Sequence, residues 1–153
     1  MSSEREKLCT IRAVEVRYRG ANLKVERVVG PAEAAAFGRK VVSDHAREHL
    51  VAVYLDGRHH PIAYQIVSVG IADQTLVHAR EVLQPAILVG ANALVLMHNH
   101  PSGDPTPSPE DREVTRRIAE AAKIIGISLL DHIVFTHSGP YTSIAQTLPD
   151  LLR

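Results

Sequence analysis

The segment Ala93-Leu-Val-Leu-Met97 is apolar at every position and runs directly into His98-Asn-His-Pro-Ser-Gly-Asp-Pro-Thr-Pro-Ser-Pro-Glu-Asp111. A strand-length run with no polar face has nothing to offer water, so it belongs at the centre of a sheet covered on both sides. Helical patterns elsewhere in the chain supply that cover. Pro31 opens an Ala-rich helix from Ala32 to about Ser43, a second spans Val77 to about Leu88, and a third runs from Ser108 to Ile125 with Gly126 as its stop. His49–Asp56 and Pro61–Gly70 form an antiparallel hairpin about Gly57-Arg-His-His60, and Ile127–Phe135 and a short stretch near Tyr141–Ile144 add further strands. Thr10–Tyr18 and Leu23–Val29 alternate apolar and polar residues and predict an N-terminal hairpin. Residues 44–48 are too polar to assign, and the last nine residues look peripheral. The fold class is α/β, a mixed sheet flanked by helices.

The length of 153 residues suits one domain, with a core over about 44–145 and the N-terminal strands and helix of 10–43 added to it. Seventeen basic residues balance seventeen acidic ones, which disfavours charge-driven binding to nucleic acid or to acidic membranes. No apolar run approaches the roughly 20 residues of a membrane helix. The lone Cys9 and an N-terminus without an apolar signal stretch make a cytoplasmic address the expectation.

His98 and His100 are two apart at the end of the central strand and present two imidazoles on one side, with Asn99 turned the other way. A catalytic zinc site takes three nitrogen or oxygen ligands from the protein, so a carboxylate should join them. Asp104 and Asp111 are the nearby candidates. A turn role explains Asp104 adequately, whereas Asp111 falls at the third helical position after an Ser108 N-cap, on a helix start that can fold back over the strand end. Capping and metal binding are compatible, because a capped helix holds its first-turn carboxylate rigidly.

The joint pattern, His98-x-His100, seven residues, Ser108, two residues, Asp111, resembles the JAMM (JAB/MPN+) metalloprotease signature. The context is similar to its RadC-like branch through the full stretch 98–111, Val77-His-Ala-Arg-Glu81 and Leu130-Asp-His-Ile-Val134, a likeness spanning about residues 44–145. The resemblance implies a cytidine-deaminase-like fold and a zinc ion held by His98, His100 and Asp111. It also implies oxyanion support from Ser108 and a proton-accepting glutamate on an upstream strand. Alignment of Tyr64-Gln-Ile-Val-Ser-Val-Gly70 with the family pattern puts that glutamate at Gln65, which cannot shuttle a proton, whether the change is natural or introduced. The longer RadC proteins carry a helix-hairpin-helix region for which this chain has no room.

The expected function is a zinc-dependent hydrolase cleaving a peptide or isopeptide bond, impaired at Gln65. The alternatives are a non-catalytic zinc module that binds a peptide or protein, and, less favoured, a factor associated with DNA repair. Edge strands near the N-terminus offer a route to a homo-oligomer. Asp131 and His132 are expected to be mainly structural, and His78, Arg80 and Glu81 to make hydrogen bonds near the cleft or to lie on a substrate-facing edge. His45, His49, His59, His60 and His137 are expected at surfaces or turns, and Arg112, Arg116 and Arg117 on a solvated helix face.

Overall fold

The computed structural model describes residues 13–15, 17–21, 23, 27–28, 30–70 and 77–153. Five strands, β1 (His49–Leu55), β2 (Pro61–Val69), β3 (Ala93–Asn99), β4 (Ser128–Phe135) and β5 (Tyr141–Ser143), form one sheet in the order β2-β1-β3-β4-β5. Only β3 and β4 are parallel, and their crossover is α3 (Pro109–Ile124). The remaining pairs are antiparallel. The mixed sheet between helices is the α/β architecture that the sequence predicts.

Strands β1 and β3 are buried along their whole length, as central strands covered on both faces must be. Alternation divides their side chains between two cores. Leu50, Ala52, Tyr54, Leu94 and Leu96 face α2 (Ala79–Leu88) and α3, while Val51, Val53, Leu55, Ala93, Val95 and Met97 face α1 (Pro31–Val41). His98 and His100 continue the even-numbered series toward α3, and Asn99 continues the odd one.

At the C-terminal end α4 (Ile144–Thr147) starts on buried Ile144 and a 3-10 turn (Pro149–Leu152) follows; the last nine residues stay peripheral, none of them buried, with Leu152 resting partly buried against the α2/α3 core. The N-terminal hairpin expected over 10–29 lies partly outside the described residues, and those of its residues that are described carry no strand. Among the described residues no helix is long and apolar enough to cross a membrane.

Gly38 sets how closely α1 approaches β4. A Cβ there would meet the ring of buried Phe135 at 2.5 and 2.8 Å, far inside contact distance. Gly38→Ala gains helix propensity of about 1 kcal/mol, but overpacking a rigid ring costs about 1–3 kcal/mol. A net destabilisation is expected, read as a lower urea midpoint with an unchanged slope; an unchanged or raised midpoint would show that Phe135 gives way.

Candidate metal centre

The strand order places the site. Antiparallel pairing sets Leu50 of β1 opposite His98 of β3, so the start of β1 lies beside the end of β3. The β3–α3 connection then brings the first turn of α3 to the same point, at the carboxyl ends of the parallel strands, where open α/β sheets bind ligands. A pocket of ≈ 220 Å³ forms there, its lining including Glu48, His98, His100, Ser108, Glu110 and Asp111.

Asp111 sits between the imidazoles, with one carboxylate oxygen 3.1 Å from His98 Nδ1 and the other 3.3 Å from His100 Nε2. The second oxygen also accepts from the Ser108 N–H at 2.7 Å, and Ser108 Oγ accepts from the Asp111 N–H at 3.1 Å. This reciprocal cap fixes the carboxylate on the first turn of α3. His100 Nδ1 donates to the Asp104 carbonyl at 2.7 Å, which turns Nε2 toward Asp111 and the pocket. Asp104 thus serves through its backbone, and its carboxylate accepts from the Thr106 N–H instead.

Glu48 completes the cluster. Its carboxylate is 3.8 Å from His98 Nε2, and its side chain remains about one-third exposed at 33%, against 1% for Asp111. Glu48, His98 and His100 each offer a ligand atom within 4.8 Å of the others, close enough to bind a metal ion. Two imidazoles and three carboxylates around one small pocket are a nitrogen and oxygen donor set that suits zinc, so the residues present fit the ion that the sequence pattern implies.

The electrostatics follow from burial and pairing. Burial opposes the charged form of Asp111, but its hydrogen bonds with His100 and His98 outweigh that and hold the carboxyl well below the usual range. Burial likewise opposes the imidazolium of His98, yet the Asp111 and Glu48 carboxylates hold it above the ordinary histidine value. These two groups are a preformed ion pair whose proton a cation would displace.

His132, on β4 opposite Leu96, stands behind the ligands with its ring centroid 6.2 Å from that of His98. The Thr115 hydroxyl donates to the Asp111 carbonyl and lies 2.6 Å from His132 Nδ1, so its single proton being spent, the imidazole donates from Nδ1. Burial, with His98 nearby, pushes His132 down to about 3 from an ordinary 6.5. A depressed folded value means that the stability tied to this group is complete above about pH 6.5. It is lost as pH falls toward 3, at up to about 1.4 kcal/mol per pH unit. Because the raised His98 contributes with the opposite sign, present below 6.5 and lost above its own folded value, the check is residue-specific. The His132 ring signal in an NMR titration is expected to stay flat from pH 8 to 5, and a midpoint near 6.5 would contradict this.

The structure therefore brings together His98, His100, Ser108 and Asp111, and it does not bring Gln65. Gln65 pairs with Ala52 on β2, and β1 stands between β2 and β3, so Gln65 lies across a whole strand from the imidazoles. Its side-chain oxygen is 3.2 Å from Tyr54 Oη, in a separate and larger cavity of ≈ 770 Å³ whose described walls carry no histidine or carboxylate. Besides Asp111 and its neighbour Glu110, the acidic residue at the pocket is Glu48, in the segment that sequence patterning leaves unassigned. The signal for it was its place, directly before a strand antiparallel to the one ending in His98.

Two smaller expectations change. His49 is buried at the start of β1 rather than at the surface, and Arg117 is half-buried and reaches the Val77 carbonyl. Glu81 makes a hydrogen bond as expected, accepting from the His78 N–H at the start of α2, outside the lining of the histidine pocket. Arg116 pairs with Glu113 and Glu120 on the exposed face of α3, as a solvated face predicts.

A family model described as RadC-like JAB domain matches residues 28–148. The chain is 40% identical over 132 residues to a UPF0758 protein of Trichlorobacter lovleyi, covering 86% of this chain and 57% of that one. It is 40% identical over 143 residues to one of Symbiobacterium thermophilum (92% and 61%). With one of Rubrobacter xylanophilus it shares 47% identity over 107 residues (70% and 47%). The chain thus spans about half the length of the curated relatives it matches.

Proposed function

Because the chain belongs to the RadC-like JAB domain family, a group related to the JAMM hydrolases, we propose that it is a zinc-dependent hydrolase acting on a peptide or isopeptide bond. One observation carries this reading: a one-third-exposed carboxylate, Glu48, faces the same small pocket as buried His98 and Asp111 and mostly buried His100. His98, His100 and Asp111 would hold the ion, which when bound would supply Lewis acidity toward a carbonyl and make water more acidic. Glu48 accepts the proton of the attacking water and returns it to the leaving nitrogen, the shuttle that its position and partial exposure allow. Ser108 spends an oxygen lone pair on the cap, so its O–H can donate to the carbonyl oxygen as negative charge develops there.

Since the proton carrier is Glu48, the impairment expected from Gln65 loses its basis. The experiment is hydrolysis of a panel of peptide and isopeptide substrates by metal-free and zinc-reconstituted protein. Turnover that appears with zinc and disappears with a chelator supports the hydrolase. Zinc binding without turnover on any substrate favours instead a module that holds a peptide in the same pocket.

A further inference from the structure

Glu48 is held by its neighbours in the chain. The buried side-chain amide of Asn99 accepts from the His49 N–H at 2.7 Å and donates to the Arg47 carbonyl at 2.8 Å. It thereby closes on both residues that flank Glu48. His49 Nδ1 lies 2.8 Å from the same Arg47 carbonyl, and the Gly70 N–H donates to the carbonyl of Glu48 itself at 2.7 Å. Gly70 makes that bond at φ 72°, a conformation that a side chain would strain. With the backbone fixed on both sides, only the side-chain torsions of Glu48 are left to vary.

Strand alternation explains how one tripeptide does two jobs. His98 and His100 project toward α3, and Asn99 between them projects to the other face, where the 44–48 segment leads into β1. We propose that Asn99 is the positioning residue that sets Glu48 over the metal pocket, so that the end of β3 supplies two ligands and also fixes the proton carrier. This rests on the reading of Glu48 above.

The test uses Asn99→Ala, which removes the clamp, and Asn99→Asp, which keeps the shape and the acceptor for His49 but sets an acceptor against the Arg47 carbonyl. The expected result is zinc affinity indistinguishable from the parent protein, because His98, His100 and Asp111 are untouched. With it, kcat falls by about 10–100-fold at unchanged KM, the range for loss of a group that orients another. In a Glu48→Gln background neither change lowers kcat further, a non-additivity that a general folding role does not produce.

A second readout needs no turnover. The NMR signal of the Glu48 carboxyl shifts when zinc is added to the parent protein and does not shift in either variant. Should the parent bind zinc but hydrolyse nothing, the hydrolase reading fails and this signal alone decides the role of Asn99. A retained zinc-induced shift in both variants, additive losses of kcat, or loss of zinc affinity with intact folding would each overturn the proposal. A parent protein that binds no zinc overturns it together with the metal reading.

Discussion

Glu48→Gln keeps zinc bound and lowers kcat by about 10²–10⁴-fold, the range for removal of a positioned general acid–base group. The reason is division of labour within one pocket. Asp111 is 1% exposed, pinned by the Ser108 N–H and in contact with both imidazoles, whereas Glu48 is one-third exposed and 3.8 Å from the nearer ring. On the proposed reading the first holds a cation and the second meets water. Steady-state kinetics beside a zinc titration checks this. Zinc affinity that collapses along with kcat would make Glu48 a ligand, in keeping with its closeness to His98 and His100, and would overturn the assignment of the base.

Asp111→Asn lowers zinc affinity by more than about 100-fold, since even groups that merely orient ligands contribute 10–100-fold. The substitution keeps an oxygen for the Ser108 N–H, so the start of α3 is expected to survive while the charge is lost. Its second consequence is electrostatic. The carboxylate that holds His98 above the ordinary histidine value is gone, so the imidazole of the metal-free protein titrates lower than in the parent. Calorimetric zinc titration reads the first effect and the His98 ring signal the second. Unchanged zinc affinity in a folded variant would remove Asp111 from the ligand set.

Much of this was written in the sequence because the relevant physics is local. The apolar run 93–97 demanded cover on both faces, and the observed β3 has it. Ser108-Pro-Glu-Asp111 spelled a helix start, and the cap it forms is what aims the carboxylate. Glu48, the proposed proton carrier, was illegible for a non-local reason. Its place depends on which strand pairs with β3, and hydrophobic patterning within β1 and β2 does not reveal that β1 lies between β2 and the imidazoles. Gln65 was thus placed by pattern in a strand one position too far out, while Glu48 stood in a short polar segment with no periodicity to read. Asn99 was legible only as a residue facing away from the ligands; its role emerges once the segment before β1 is packed against it.

The central claim is that His98, His100 and Asp111 make a zinc site. It is tested most directly by titrating zinc into chelator-stripped protein beside its His98→Ala form. Binding of a single ion per chain by the parent, lost in His98→Ala while the fold is retained, is the predicted result. A folded parent that takes up no zinc, or uptake that His98→Ala leaves unchanged, would contradict it.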